Sequence, residues 1–450
     1  MKEDQGILRK GNLMLPLSRI YAPLANWKRL KGSFAGNILT VSTGIALGQG
    51  IAVAVAPVIT RLYTPADFGV LEVYVALLDI FGVAVCWKYE GAILLPESDA
   101  TAANVFGLCM AIIVVMTAFT GFLTWTFGDT LLGLIKAQVM APYVWLLPLG
   151  IMGAGIYQAL NFWGIRKKAF GTIAWTKISQ NVGKAAAMIG FGSFGAGAVG
   201  LVAGAIIGHC SGSTRMAVFA WRKDREAFRF INVKRGLEVL KRYKKFPLFT
   251  LGAQFLNTLG LRIPYLLLAA NYGLQVVGWF ALAQWIIGTP LGLIGASVAQ
   301  VYTGELTQQT RQSPEKIKRL FFKTLMMLFL SALSIVLLII IVAPFVMHLF
   351  FGHQWHETGK YIQVLSFVFA LQFIAYPLIG TVDYLNRQGL GLAREILRAI
   401  LMIGAIPLAA FLKQPAIIAI LFYGIASSTV YLFGLILSWY AIDRHSTQKQ

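Results

Sequence analysis

The chain has 450 residues, of which 57% are hydrophobic and only 13% are charged, and its mean hydropathy is +0.69. A soluble domain of this size does not reach these values, so the composition predicts a polytopic membrane protein. The formal net charge of +21 would also suit a nucleic-acid partner. Lys and Arg in the cytoplasmic loops of a membrane protein account for it more simply, and no nucleic-acid partner is expected.

The first 33 residues carry seven Lys or Arg side chains between short apolar runs. This pattern contains no evident cleavable signal and predicts a cytoplasmic N-terminal segment over residues 1–33. Beyond it, twelve runs are long and apolar enough to cross a bilayer as helices. They lie at about 36–60, 68–88, 101–127, 142–163, 171–193, 196–220, 247–270, 276–302, 320–350, 361–381, 390–411 and 416–440.

The loops between these runs alternate between basic and nearly uncharged, as the positive-inside rule requires when both termini are cytoplasmic. The longest basic loop is expected to be a helix on the anionic inner leaflet, or simply a connector that sets the orientation. The predicted units are a cytoplasmic segment (1–33), an N-lobe (34–221), a basic cytoplasmic linker helix (222–246), a C-lobe (247–441) and a cytoplasmic tail (442–450).

The two halves of the chain contain a weak direct repeat. Tyr63 and Gly69 follow the first span, and Tyr272 and Gly278 follow the seventh, at a constant separation of 209 residues. Because each half holds six predicted spans, this repeat predicts two six-helix lobes related by a pseudo-two-fold axis along the membrane normal. The predicted fold class is therefore an all-α polytopic membrane protein of about twelve transmembrane helices.

The seventh span carries a polar stripe that ends in a charge. Gln254, Thr258 and Arg262 recur every four residues, with Asn257 beside them. Arg262 lies fifteen residues past Pro247, which is roughly 22 Å into a hydrocarbon layer of about 30 Å. Facing lipid, this charge would cost at least about 2.5 to 3.5 kcal/mol, so it is expected to face protein or a water-filled cavity.

The fifth span repeats this pattern with Gln180 and Lys184 four residues apart and Asn181 alongside. We interpret Lys184 and Arg262 as lining one cavity, where an ammonium and a guanidinium suit a phosphate or pyrophosphate. Alternatively, Lys184 reaches the membrane surface along its own stem, or pairs with an acid such as Asp79.

Glu72 and Asp79 lie seven residues apart in the second span and therefore on one helical face. A carboxylate among apolar residues is suited to bind and release a proton during transport. A structural ion pair with one of the buried cations is at least an equal alternative.

The sequence lacks the motifs of several common protein activities. The sequence has no GxxxxGK[ST], and its outer loops are too short to hold a catalytic site. His348, His353 and His356 match no usual zinc spacing. We therefore expect no enzyme, no metal site and no cofactor, and a transport process driven by the substrate gradient or by a proton or sodium gradient.

Several segments resemble bacterial polysaccharide flippases, the Wzx-type O-antigen and exopolysaccharide translocases. These segments are LYTPADFG, KYEGAILLPESDATAANVF, GLVAGAIIG, RYKKFPLFTLGAQFLNTLGLRIPYLLL and VGWFALAQWIIGTPLGLIGASVAQVY. The resemblance covers residues from about 34 to 440. It implies membership of the superfamily that includes multidrug exporters and lipid II flippases, with two lobes around a V-shaped cavity.

The resemblance further implies a flippase that moves undecaprenyl-pyrophosphate-linked sugar repeats across the bacterial inner membrane for O-antigen, capsule or exopolysaccharide synthesis. A polysaccharide polymerase and a chain-length regulator are candidate partners. Lys88 stands where the family usually has Arg, which keeps the charge but removes the bidentate fork. Lipid II flippases usually have fourteen spans, so the twelve predicted here disfavour that branch.

On this hypothesis, Arg262 and Lys184 hold the pyrophosphate, Lys88 guides it at the cytoplasmic mouth, and Asp79 or Glu72 is a proton site. The sugars would meet the polar side chains Gln254, Asn257, Thr258, Gln180 and Asn181. The alternatives are an ion-coupled multidrug exporter of the same superfamily, which suits an acidic cavity better, and a polymerase or glycosyltransferase, which would need a large outer loop.

Overall fold

The computed structural model describes residues 34–134, 138–244, 246–310, 314–385 and 387–447. These residues are almost entirely helical and contain no β-strand. The predicted cytoplasmic segment 1–33 and the last three positions of the predicted tail lie outside the described residues.

The first half of the chain forms helices that follow the first six predicted spans. They are α1 (Phe34–Leu62), α2 (Pro65–Gly82), α3 (Asp99–Leu134), α4 (Ala141–Val144), α5 (Leu147–Arg166), α6 (Phe170–Ser193), α7 (Gly197–Cys210) and α8 (Ser213–Arg229). A short 3₁₀ helix, Tyr89–Leu94, connects α2 to α3.

The linker predicted as one helix over 222–246 is instead divided. Its first part continues α8 to Arg229, and its second part is α9 (Val233–Arg242). Asn232 causes the break, because its backbone is extended (φ −141°, ψ 139°) and its side chain accepts the N–H of Lys234 at 2.9 Å. Asn in this position caps a new helix rather than continuing an old one.

The second half begins with a π-helical turn, Phe246–Thr250, and a second such turn, Gln284–Gly288, interrupts the eighth predicted span. Its helices are α10 (Leu251–Tyr272), α11 (Leu274–Ala283), α12 (Thr289–Thr310), α13 (Pro314–Val346), α14 (His356–Ile379), α15 (Thr381–Tyr384), α16 (Gln388–Phe411) and α17 (Ala416–Thr447).

In the described part of the chain, eight helical stretches are long and apolar enough by themselves to cross a membrane. The remaining predicted spans are α2, α6, α10 and α16. Each of these four is at least eighteen residues long, but each contains charged side chains that lower its hydropathy. The chain is a multi-pass membrane protein, and the all-α, two-lobe fold class predicted from the sequence is confirmed.

The two lobes repeat the same helix pairs. In the N-lobe, α1 packs on α6, α6 on α7 and α3 on α5; in the C-lobe, the equivalent pairs are α10 on α16, α16 on α17 and α13 on α14. The same six-helix arrangement is therefore built twice.

The glycines of the sequence repeat form a symmetric seam between the lobes, where α2 packs on α11. A Cβ atom added at Gly69 would overlap the carbonyl oxygen of Leu274, and one added at Gly278 would overlap that of Pro65. Leu274 is the residue 209 positions after Pro65, so the two contacts are equivalents of one another. Glycine is required at both places because the backbones approach too closely for a side chain.

A second contact closes the bundle at this same end, which is the end predicted to face outside. Trp355, in the loop between α13 and α14, is fully buried and donates its indole N–H to the carbonyl of Thr60 at 2.9 Å. Gln354 donates to the carbonyls of Thr60 and Tyr63 at 2.9 and 3.2 Å. The C-lobe is thereby hydrogen-bonded to the last turn of α1.

Candidate functional site

A cavity of about 720 Å³ lies between the two lobes. It begins near Phe68, beside the closed seam, and extends to Lys88 and Gln254 at the other end of the bundle. Eight of the ten residues predicted for the site are among those that line it: Glu72, Asp79, Lys88, Lys184, Gln254, Asn257, Thr258 and Arg262.

Arg262 is held by an ion pair that crosses this cavity. Its Nε and one terminal nitrogen lie 2.7 and 2.5 Å from the same carboxylate oxygen of Asp79, while the other terminal nitrogen is 3.9 Å from Glu72. The guanidinium also lies over the ring of Tyr265, 5.7 Å from its centroid. Because Asp79 belongs to α2 and Arg262 to α10, the pair joins one lobe to the other. The terminal nitrogen nearer Glu72 lies beyond hydrogen-bonding distance of it, so this nitrogen keeps donors that can bind a ligand.

Lys184 is half-buried in the same cavity, and it also lines a side cavity of about 150 Å³ beside α1. Among the described residues, no carboxylate oxygen lies within 4.0 Å of its Nζ. Asp79, which the sequence left open as a partner for Lys184, is bonded to Arg262. Lys184 is therefore a cation that a ligand can approach without displacing an acid.

The two remaining predicted residues lie away from the main cavity. Asn181 lines the side cavity, and its amide donates to the carbonyl of Lys177 at 3.0 Å. Gln180 points toward α7, where it donates to the carbonyl of His209 at 3.4 Å. Gln180 and Asn181 are neighbours in the sequence and therefore point about 100° apart on the helix. A polar stripe that includes both is wider than the part of α6 that faces the main cavity.

Behind Asn257, helix α16 carries a charged cluster that the sequence analysis did not single out. Arg398 donates to Asn257 at 3.2 Å and pairs with Glu395 at 3.0 Å, and Glu395 also pairs with Arg394 at 2.7 Å. All three charged side chains are largely buried. The signal was present in the sequence, since these three charges lie within five consecutive residues of the predicted span 390–411.

Lys88 lines the cavity at the end opposite the seam, in a strained loop. Trp87 and Lys88 both have left-handed backbones, with φ of 50° and 64°. Non-glycine residues adopt this conformation at a cost of about 1–3 kcal/mol each, and they do so mostly at functional sites. Behind Lys88 lies Glu90, which the sequence analysis did not single out, with its Oε1 3.7 Å from the lysine Nζ.

The described residues therefore place three cations, two acids and several amides around a cavity between two similar lobes. The same arrangement of lobes occurs in solved transporters of the MOP superfamily. An inward-facing multidrug resistance MATE family transporter has a TM-score of 0.67 at 16% identity, covering 91% of this chain and 96% of that one. The lipid II flippase MurJ in an inward closed conformation has a TM-score of 0.65 at 13% identity, covering 91% and 90%.

An outward-facing MATE family transporter of the same superfamily has a lower TM-score of 0.59 at 16% identity, covering 94% of this chain and 99% of that one. The fold is thus that of MOP-superfamily transporters. The model of the family described as "Polysaccharide biosynthesis protein" matches residues 58–360, which is more than half of the chain. The chain belongs to this polysaccharide biosynthesis family. No curated protein sequence matches it.

Proposed function

We propose that the chain is a flippase that moves undecaprenyl-pyrophosphate-linked oligosaccharide repeat units across the bacterial inner membrane by alternating access. Its products would supply the synthesis of O-antigen, capsule or exopolysaccharide. The observation that carries this proposal is the cavity between the lobes, which Lys184 and Arg262 both line, with Arg262 bonded to Asp79 and 3.9 Å from Glu72. Family membership supports a substrate from polysaccharide synthesis.

The chemistry of the cavity favours an anion. Lys184 has no acid within ion-pair distance among the described residues, and Arg262 has donors left after binding Asp79. Charge-assisted hydrogen bonds to a diphosphate are stronger between the protein walls of a cavity than on an exposed surface. Gln254 and Thr258 would meet the sugars, together with the NH₂ group of Asn257, whose oxygen accepts from Arg398.

The cycle follows from the closed seam. In the conformation described here, the predicted outer end is closed by Gly69, Gly278 and the Trp355 loop, so substrate would enter from the cytoplasmic end past Lys88. A diphosphate that binds Arg262 competes with Asp79, and losing this pair would release one lobe from the other. Asp79, or Glu72 beside it, would then be free to bind a proton or a sodium ion and couple transport to its gradient.

The proposal is tested by mass spectrometry of lipid extracts from cells that carry the wild type, a deletion, Arg262→Ala or Lys184→Ala at matched protein levels. Arg229→Ala, which removes an exposed basic side chain from the end of α8, is the matched control. We expect the deletion and both cavity variants to accumulate lipid-linked repeat units and lose surface polymer, while Arg229→Ala behaves as wild type. Unchanged intermediates and polymer in the deletion would refute the flippase, and altered drug tolerance in that strain would indicate a multidrug exporter.

A further inference from the structure

Glu90 is the most enclosed carboxylate at the cavity mouth, and it has few partners. Its side chain is 3% exposed. Oε1 accepts a hydrogen bond from the amide of Gln158 at 2.5 Å and lies 3.7 Å from Lys88 Nζ. Oε2 is buried and has no hydrogen-bond partner in the described part of the chain. An ionised carboxylate in this position depends on Lys88 for its counter-charge.

Both partners of Glu90 line the cavity, whereas Glu90 lies behind them. A ligand in the cavity therefore meets Lys88 first. If an anion draws the lysine toward itself, Glu90 loses its counter-charge and keeps only neutral donors, the amide of Gln158 and a backbone N–H. A buried charge without a counter-charge is costly, and the group becomes neutral by binding a proton.

Among the described residues, Lys88 is the cation within ion-pair distance of Glu90. Helix α3 presents Cys109, and Cys86 lies beside it before the short helix. Helix α5 presents Gln158 and, at the far end, Arg166, which is already bonded to the carbonyls of Ile93 and Pro96. Burial raises the pKa of the Glu90 carboxyl above its ordinary value, and a backbone N–H, Lys88 and Gln158 oppose this rise.

The short helix that carries Glu90 also touches the connection between the lobes. Tyr89 donates its hydroxyl to the carbonyl of Leu240 in α9 at 3.0 Å. A Cβ added at Gly91 would lie 3.1 Å from the ring of Phe246, at the start of the C-lobe. A change of charge at Glu90 therefore occurs next to the segment that must move when the lobes rearrange.

We propose that Glu90 is a proton-binding site linked to the substrate through Lys88, so that binding of the pyrophosphate headgroup takes up one proton from the cytoplasmic side. This inference rests on the proposed function, because it takes a diphosphate as the anion. Glu90 differs from Asp79 and Glu72 in that its counter-charge among the described residues is Lys88, at the mouth of the cavity. By linkage, protonation of Glu90 frees Lys88 and strengthens anion binding to the same degree.

The sign of the pH dependence follows. At higher pH, Glu90 is ionised and holds Lys88, so anion binding is weaker; at lower pH, Glu90 is protonated and binding is tighter. Glu90→Gln imitates the protonated acid. Each unit by which Lys88 shifts the pKa of Glu90 is worth about tenfold in affinity.

The test uses the purified full chain in phosphatidylcholine nanodiscs, with geranyl pyrophosphate as the probe. Calorimetric titrations in two buffers of different ionisation enthalpy give the number of protons taken up per bound probe. Protons that the probe itself gains or loses are the same for every variant, so they cancel when the count for a variant is subtracted from that for wild type. We expect wild type to take up more protons per bound probe than Glu90→Gln, by up to one, at the pH where Glu90 titrates. Glu97→Gln, which removes an exposed carboxylate from the same loop, should match wild type.

Equal proton counts in wild type and Glu90→Gln, with binding that still depends on Arg262, would overturn the role of Glu90 and leave the anion site intact. Failure of wild type to bind the probe would overturn the anion site itself. If Glu90→Gln does not fold, Lys88→Met provides the alternative test of proton uptake at Glu90. Without the lysine, Glu90 is protonated before the anion arrives, so the extra proton should disappear, and its persistence would refute the proposal.

Discussion

Replacing Gly69 by Ala puts a methyl group into the seam between α2 and α11, where there is no space for it. The added Cβ would overlap the carbonyl oxygen of Leu274 and lie 3.0 Å from its Cα, whereas ordinary Cβ contacts fall at 3.4–4 Å. The obstacle is backbone, so it cannot turn aside as a side chain would. The two helices must separate at this end by about 1 Å or more.

Overpacking of this kind costs about 1–3 kcal/mol, and a backbone obstacle belongs to the upper part of that range. The cost applies only while the seam is closed, because opening this end relieves the overlap. A difference of about 3 kcal/mol between two conformations shifts their ratio by about 150-fold. Gly69→Ala should therefore move the population toward the conformation open at the predicted outer end, and Gly278→Ala should do the same through Pro65.

The assay is a spin-label distance measurement between Arg61→Cys and Asn271→Cys, which are exposed positions at the ends of α1 and α10. The three native cysteines are first replaced by Ala. We expect a longer distance to become dominant in Gly69→Ala. Gly82→Ala is the control, because it lies on the same helix and its added Cβ meets nothing within 4 Å. A distance distribution in folded Gly69→Ala that equals wild type would refute the reasoning.

Three further predictions follow from the contacts around the cavity. Trp355→Phe keeps a buried ring but removes the hydrogen bond to α1, which should destabilise the closed conformation by about 1 kcal/mol. The same spin-label pair should therefore show a smaller shift toward the longer distance than in Gly69→Ala. Asp79→Asn removes the acid that competes for Arg262, so geranyl pyrophosphate should bind roughly tenfold more tightly in nanodisc titrations; unchanged or weaker binding would contradict this. Glu395→Gln leaves two buried arginines without an acid and should lower the thermal stability in detergent, by roughly 3 kcal/mol, far more than the same change at the exposed Glu305.

The sequence predicted the fold well because the signals for it are one-dimensional. Hydropathy and alternating loop charge give the spans, and the repeat of Tyr63 and Gly69 at Tyr272 and Gly278 gives the relation of the lobes. The role of Gly69 and Gly278 in the close backbone contact between α2 and α11 was not predicted, because that contact depends on how two segments far apart in the chain pack together.

The site was harder to predict because a helical stripe defines a face but not what the face meets. Gln180 and Lys184 share one stripe, yet only Lys184 lines the main cavity. The sequence left several ion pairs possible besides Asp79–Arg262, since α2 and α10 are far apart in the chain. The sequence did not identify Glu90 as a site residue, because its burial depends on the packing of α3 and α5 around the short helix that carries it.

The four charged helices have a consequence for how the protein enters its membrane. A charge near the centre of a helix costs about 2.5 to 3.5 kcal/mol during insertion. Each of the helices α2, α6, α10 and α16 is therefore expected to enter the bilayer together with a neighbouring helix rather than singly. Each is followed closely by a more apolar partner. Assembly in helical pairs, with the charged member held beside its neighbour until both lobes exist, is then a condition for biogenesis. Substitutions in these apolar partners would reduce the amount of protein inserted without touching the cavity.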